Sequence, residues 1–304
     1  MEVWGGSEPA QRAVSISGLD AWVYCLPYNQ AQSGGDVYYL SSCATGRITR
    51  LLVADVSGHG EAVAELASGL RMLMRKFVNH LHQTRFVKSM NEQFVEQSRD
   101  GIFATALVTT YFAPTGELSL CNAGHPPPLH YCAKSKTWAY LEKTAPEESD
   151  PNSLGNVPLG IIDLVDYEQF EVQLESNDLV LCYTDSLIEA RDNTGQMLER
   201  NGLLQLVRTV DPAHPEAFIP ELIEKIAQRS PGRPWDDDVT AMLFRPNGQG
   251  RKVSWPRLLF AESKVLGSLF TQFLPGGHPM AFPDFSLRNL GGALLSRLNF
   301  WKGK

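Results

Sequence analysis

The sequence predicts an α+β sandwich, on three observations. Runs of strand composition fill the first sixty residues and return from Ala104 onward, two stretches of helical periodicity separate them, and strand and helix never alternate in the regular way a βαβ fold requires. Asp20 to Cys25 carries Trp22, Val23 and Tyr24, and Val37 to Leu40 is short and aromatic. Ile48 to Ala54 is an apolar run between Gly46 and Asp55, so this strand delivers Asp55 at its C-terminal end. Past Gly58, His59 and Gly60 the period changes. Val63, Leu66, Leu70, Leu73 and Phe77 follow at spacings of 3, 4, 3 and 4, one apolar stripe along a helix that reads as core. A second helix is expected from Phe86 to Gln97, with Met90 and Phe94 inward.

Ala104 to Phe112, Glu117 to Asn122, Pro128 to Cys132 and Thr137 to Leu141 are broken by turn signals such as Pro114, Thr115 and Gly116, and read as an antiparallel meander. Residues 143–158, rich in Glu, Asp, Pro, Asn and Ser, read as a loop. Strands follow at Glu168 to Leu174 and Leu179 to Thr184, the second ending at Asp185. Helices are expected over Arg200 to Val210 and His214 to Arg229, and a last strand over Val239 to Arg245. No internal repeat or low-complexity tract is present in the sequence.

The composition narrows the function classes. With 304 residues, 43% hydrophobic and 20% charged, the chain has the make-up of a water-soluble globular protein. It shows no basic start followed by an apolar block, and no run of about 18 apolar residues. Too few residues precede Asp20 for a separate sensor domain to be expected there. Cys25, Cys43, Cys121, Cys132 and Cys182 are an odd set without CxxC spacing, and read as small buried hydrophobes in a reducing cytosol. The net charge of -7 divides unevenly. Residues 247–304 hold eight Lys/Arg against Glu262 and Asp284, a basic, apolar extension beyond a domain of residues 1–246 that is strongly acidic. An acidic body is a poor non-specific binder of nucleic acid, so no nucleic-acid partner is expected. The extension begins with the linker-like Asn247, Gly248, Gln249 and Gly250. It then fits two short amphipathic helices, one around Leu259, Leu266, Phe270 and Phe273, the other with Leu287, Leu290, Leu294, Leu298 and Trp301. Such helices suit an anionic membrane surface, a partner or the acidic body itself, and folding back is favoured because that body is covalently attached. The location expected is cytoplasmic, with membrane-peripheral attachment through the tail as the alternative.

Four aspartates share a placement at the edge of a β-prone run beside turn residues: Asp36 after Gly34 and Gly35, Asp55 after LLVA, Asp185 after VLCYT, and Asp237 before VTAMLF. Only a fold brings them together. Carboxylates at buried strand ends are costly unless compensated, and such oxygens suit Mg²⁺ or Mn²⁺. For any one of them alone, a turn former or helix cap is the plainer reading.

The flanking motifs shift that balance. SGGD at Ser33 to Asp36, ADVSGHG at Ala54 to Gly60, NAGHPPPL at Asn122 to Leu129, PLG at Pro158 to Gly160, YTDSLIEA at Tyr183 to Ala190 and DDVT at Asp237 to Thr240 occur in one order. In these the chain resembles the metal-dependent protein phosphatases (PPM or 2C type), in particular the bacterial SpoIIE/RsbU-like serine phosphatase branch, over roughly residues 18–246. The resemblance implies an α-β-β-α sandwich of two antiparallel sheets flanked by helices. It implies metal ligands at Asp36, Asp55, Asp185 and Asp237 and at the backbone carbonyl of Val56, with Asp238 a weaker ligand or a support behind the ligands. Asp236 is an unaligned extra acid. Ser186 stands where the branch usually has Gly, and its side chain is expected to crowd a tight turn.

In a site of the implied kind, two Mn²⁺ or Mg²⁺ ions about 3.5–4 Å apart would lower the pKa of a shared water and neutralise phosphoryl oxygens, so that hydroxide attack on phosphorus, without a phosphoenzyme, is the expected chemistry. His59, beside a ligand and titrating near working pH, is the candidate proton donor to the leaving oxygen, against a plainer role as a helix-start residue. His125 reads as shaping its loop. Asn122, Gly124 and Gly160 read as turn and backbone-approach positions. The activity implied is a protein serine/threonine phosphatase acting on a phosphorylated STAS-like (anti-anti-sigma) regulator, with the helices after Asp55 coupling partner binding or homodimerisation to metal occupancy. A two-metal phosphatase for small phosphoesters and a catalytically silent scaffold remain open, the second disfavoured because all four aspartates are present.

Overall fold

The computed structural model describes residues 2–43, 45–58, 61–80, 82–98, 101–143, 156–163, 165–229 and 235–249. His59, most of the loop expected at 143–158, and the tail from residue 250 with both expected amphipathic helices lie outside the described residues. The remainder forms two six-stranded sheets. The first holds β1 (Glu2–Gly6), β4 (Asp36–Ser42), β5 (Ile48–Val56), β6 (Ala104–Phe112), β7 (Glu117–Ala123) and β10 (Gln169–Gln173), in the spatial order β1-β4-β5-β6-β7-β10. The second holds β2 (Ala10–Ile16), β3 (Leu19–Leu26), β8 (Leu129–Cys132), β9 (Thr137–Tyr140), β11 (Leu179–Tyr183) and β12 (Val239–Pro246), in the order β2-β3-β12-β11-β8-β9. Neighbouring strands pair antiparallel in both sheets.

Three apolar layers hold this sandwich together. Between the sheets, Val23 and Cys25 of β3, Tyr38 and Leu40 of β4, Leu51 and Val53 of β5, and Met242 and Phe244 of β12 share one core. The period-2 alternation of β3 follows from this, because Ala21, Val23 and Cys25 face the other sheet while Trp22 and Tyr24 turn toward the helices on the opposite side. Helices α1 (Glu61–Phe77) and α2 (Gln83–Gln97) cover the outer face of the first sheet. There Val63, Ala67, Leu70 and Met74 recur at helical spacing and meet Phe86, Met90 and Phe94, all buried. Burying side chains of that size stabilises by about 1.5–3 kcal/mol each. Helices α3 (Ser186–Glu189), α4 (Glu199–Val207) and α5 (Pro215–Arg229) cover the second sheet through Leu187, Leu203, Phe218 and Leu222. The architecture is the expected α-β-β-α sandwich.

Three expectations need correction. The four strands after α2 are not one meander: β6 and β7 pair in the first sheet, β8 and β9 in the second, and the chain crosses between sheets through Gly124 to Pro128. Helix α2 starts at Gln83 rather than Phe86, because Gln83 is buried and its side-chain amide donates to the Val108 carbonyl at 2.6 Å, a polar anchor that apolar periodicity does not register. Among the cysteines, Cys25, Cys121 and Cys182 are buried, but Cys43 and Cys132 are partly exposed. The Cys43 sulfur accepts the N–H groups of Arg47 and Ile48, both at 3.2 Å, and so shapes the β4–β5 turn.

Candidate metal centre

Strand register gathers the acidic positions at one end of the sandwich. Asp36, the first residue of β4, stands directly opposite Asp55 near the end of β5, and Val56 is the last residue of that strand. From the other sheet, β11 ends at Tyr183 and is followed by Thr184 and Asp185, while Asp237 and Asp238 immediately precede β12. Because Tyr183 pairs with Ala241 and Val239 with Leu26, these ends lie side by side. Thus the first sheet contributes Asp36, Asp55 and Val56, and the second contributes Asp185, Asp237 and Asp238.

The two sheets are tied across this end. Thr184, wholly buried, donates its hydroxyl to Asp36 Oδ2 at 2.8 Å and accepts the N–H of Thr240 at 3.0 Å. Burial, then the negative charges of Asp55 and Asp238, hold the Asp36 carboxyl well above the usual carboxylate range against that hydrogen bond. Burial also pushes Asp55 up to about 7, assisted by Asp185, Asp237, Asp238 and Glu189. Asp185 is pushed up to about 6 by burial and then by Glu189 and Asp237. Asp237 is exposed, and its Oδ1 accepts the N–H of Asp238 at 2.8 Å.

These carboxylates sense one another's charge. Among the described residues, however, no three His, Cys, Asp or Glu side chains are arranged to hold a metal ion as they stand. Like charges repel when nothing compensates them, which opposes such a closed arrangement. The donor set is nevertheless that of a hard divalent cation: carboxylate oxygens with a backbone carbonyl nearby, and no soft sulfur ligand. The cradle around Val56 is narrow, since a Cβ on Gly35 would come within 2.9 Å of the Val56 carbonyl oxygen.

Asp238 is buried, and both its oxygens face backbone. Oδ1 accepts the N–H of Tyr28 at 2.6 Å, and Oδ2 accepts those of Gly35 at 2.6 Å and Asp36 at 3.3 Å. Ser186 does not crowd its turn. It opens α3 without a positive φ, and its hydroxyl donates to the Asp238 carbonyl oxygen, so it joins the ends of β11 and β12 where glycine would leave that bond unmade. His59 lies outside the described residues, and Asp236 is exposed, 4.0 Å from Arg191.

His125 is buried, with Nδ1 2.8 Å from Thr105 Oγ1. Its N–H donates to Asn122 Oδ1 at 2.7 Å while its carbonyl accepts from Asn122 Nδ2 at 2.8 Å. The pair closes the crossing loop. Burial pushes the His125 imidazole down to about 3, with only a smaller opposing pull from the Tyr183 backbone. Thr184 and Glu189 are site residues that the motifs did not single out. The signal for Thr184 was present, a hydroxyl between the apolar run VLCY and an aspartate, whereas Glu189 is set beside Asp185 by the single turn of α3.

Comparison with known proteins agrees with the fold. The family described as Stage II sporulation protein E (SpoIIE) matches residues 45–247. Phosphoserine phosphatase RsbU of Bacillus subtilis (strain 168) is 25% identical over 243 residues, covering 79% of this chain and 66% of RsbU. The chain thus spans just under two thirds of that relative. Among solved structures, the RsbU and RsbW domains of Rv1364c from Mycobacterium tuberculosis align with a TM-score of 0.63 at 22% identity, over 87% of this chain and 72% of that one. The PP2C phosphatase domain of SpoIIE from Bacillus subtilis, with a fragment of its regulatory domain, gives 0.63 at 16% identity, over 76% and 64%. RsbX in complex with magnesium gives 0.56 at 14% identity, over 78% and 100%. At these identities the solved structures establish the fold.

Proposed function

The chain belongs to the SpoIIE family, and from that premise we propose that it is a divalent-cation-dependent protein serine/threonine phosphatase. The observation that carries this reading is the meeting of Asp36, Asp55, Asp185 and Asp237 from four strand ends of two sheets. Burial and then mutual charge raise the proton affinity of Asp36, Asp55 and Asp185 there. Such an arrangement destabilises a protein unless it serves a cation. The name of RsbU, a phosphoserine phosphatase, and the magnesium bound by RsbX support the same choice.

Asp36, Asp55, Asp185, Asp237 and the Val56 carbonyl would hold Mg²⁺ or Mn²⁺, in a pair by analogy with two-metal hydrolases. When bound, the ions would supply a water of lowered pKa and neutralise phosphoryl oxygens. The chain's own contribution is placement. Thr184 fixes the rotamer of Asp36, the β4–β5 register sets Asp55 opposite it, and β12 brings Asp237 beside Asp185. His59, one residue beyond Gly58, is the proposed proton donor to the leaving serine or threonine oxygen.

For substrate we propose a phosphorylated STAS-like regulator, which rests on the kinship with RsbU. For the tail beyond residue 250 we propose docking on the acidic body rather than on a membrane, from its excess of Lys and Arg. Liposome flotation of the full chain against a chain ending at Gln249 tests the tail: flotation of the full chain alone overturns the docking reading. A Mn²⁺-dependent assay with an aryl phosphate, then with a phosphorylated STAS protein, tests the function. Turnover of both, lost on chelation, is expected. Turnover of the aryl phosphate alone favours a small-molecule phosphatase, and turnover that survives exhaustive chelation defeats the proposal.

A further inference from the structure

Deepening the metal-dependent reading on which it rests, we infer that Asp238 is a positioning residue rather than a ligand: its carboxylate staples the loop of residues 28–35 shut at both ends and thereby sets the affinity of the site for its cation. The juxtaposition is specific. One buried carboxylate, reached across more than two hundred residues of sequence, takes the N–H of Tyr28 on one oxygen and those of Gly35 and Asp36 on the other. Tyr28 follows the end of β3 and Asp36 opens β4, so a side chain at the head of β12 closes the connection between two strands that belong to different sheets. Hydrogen bonds to a charged acceptor are the stronger kind.

The loop needs such a fastening. Asn29 and Gln30 are successive non-glycine residues with φ of 54° and 57°. Backbone of that kind costs about 1–3 kcal/mol per residue and persists only where the surroundings over-determine it. Gln30 N–H reaches Pro27 O at 3.2 Å, Ala31 N–H reaches Tyr28 O at 3.1 Å, and Gly34 N–H reaches Ser7 O at 3.0 Å. Asp238 supplies the bonds at the far end of the loop, one on Gly35 and one on Asp36 itself. The sequence leaves room for it: a Cβ on Gly34 would sit 2.1 Å from Asp238 Oδ2. Gly34 is therefore required by the staple, a different reason from the close approach of Gly35 to Val56.

Titration of the full chain with Mn²⁺ alone, followed by calorimetry, tests this together with amide hydrogen exchange in chelator. Asp238→Ala is expected to weaken Mn²⁺ binding roughly 10–100-fold, the usual penalty for losing a support behind metal ligands. It should also free the Tyr28, Gly35 and Asp36 amides to exchange. Asp238→Asn keeps one acceptor oxygen and should fall between. Gly34→Ala, which leaves Asp238 in place but displaces its carboxylate, should reproduce the Asp238→Ala pattern and serves where that variant fails to fold. Aryl phosphate turnover of Asp238→Asn should fall at limiting Mn²⁺ by more than at saturating Mn²⁺. Asp237→Asn should weaken Mn²⁺ binding with the three amides still protected. Wild type and Asp238→Ala binding Mn²⁺ equally overturns the staple alone. Weakened binding with unchanged protection of the three amides makes Asp238 a ligand and overturns it too. Wild type that binds no Mn²⁺ overturns the metal reading as well.

Discussion

Thr184 makes the clearest case at the scale of one residue. Its hydroxyl donates to Asp36 and accepts from Thr240, so a single oxygen serves an acid of one sheet and a backbone group of the other. Thr184→Val keeps the shape and deletes both bonds. It should lower unfolding free energy by about 1–3 kcal/mol, since buried partners are left unpaired, and urea denaturation in chelator measures this. An unchanged midpoint would show that the tie is energetically idle. The carboxylates predict the opposite sign. Asp185→Asn and Asp237→Asn should abolish turnover while circular dichroism stays native, because each removes a charge from a repelling group. Near wild-type turnover in either variant would contradict the ligand set. Asp55→Asn should raise the melting temperature in chelator at pH 8, where the wild-type carboxyl, with a folded pKa of about 7, is forced to be charged. It should make no such gain at pH 4, where that carboxyl is already protonated in the folded protein.

Among the elements, α2 does more than cover the first sheet. Asn91, completely buried in its apolar face, accepts the Gly160 N–H at 2.9 Å and donates to the Ile162 carbonyl at 2.6 Å, tying residues 160–162 to the helix. Gly160 has φ of 92°, and a Cβ there would meet the Phe94 ring at 3.0 Å, so the chain passes α2 at a distance only glycine permits. Asn91→Ala should cost about 1–3 kcal/mol and speed exchange of the Gly160 amide. Unaltered exchange would mean that Leu159, which pairs with Ala104, holds the segment alone. This element also shows what a sequence discloses. The apolar stripes of α1 and α2 and the runs of β5, β6 and β12 were legible because burial imposes a period on them. The partner of Asn91 was not, because nothing local links it to Gly160. Likewise the β6–β7 turn carries Pro114, Thr115 and Gly116 and the β8–β9 turn runs from Ala133 to Lys136, and neither turn tells that the two hairpins belong to different sheets. Edge strand β2 is largely exposed along its first half, so its pattern is weak, and β1 and α3 are too short to declare themselves. At the candidate site the aspartates were legible as strand-end acids. The staple on Asp238 was not, since its partners are backbone amides of a loop far away in sequence.

For the molecule as a whole, buried His125 and the half-buried Asp55 and Asp185 act on stability against pH with opposite signs. His125 is held neutral, its folded pKa of about 3 lying below the ordinary 6.5. Between those values the unfolded chain binds a proton that the folded protein refuses, so this group makes stability rise with pH. Asp55 at about 7 and Asp185 at about 6 lie above the ordinary 3.8. Between 3.8 and those values the folded protein binds protons that the unfolded chain has released, so their contribution is full below 3.8 and is lost as pH rises toward neutrality. In chelator the raised carboxyls of Asp36, Asp55 and Asp185 outnumber the one histidine that opposes them, so the melting temperature should fall as pH rises from 4 to 6. On the proposed metal reading, saturating Mg²⁺ would hold the carboxylates ionised and remove the carboxylate trend, while protons would compete with the cation at the acid end. The melting temperature in Mg²⁺ should therefore climb with pH over a range where it falls in chelator, the two curves drawing together near pH 4 and separating toward pH 7. Replacing His125 by Asn should flatten the Mg²⁺ curve at its acid end and leave the separation near neutrality. Differential scanning fluorimetry of the full chain over this range is sufficient. Parallel curves would show that the acidic end of the sandwich does not take up the ion, and a curve in chelator as steep as that in Mg²⁺ would show that its carboxyls stay charged without one.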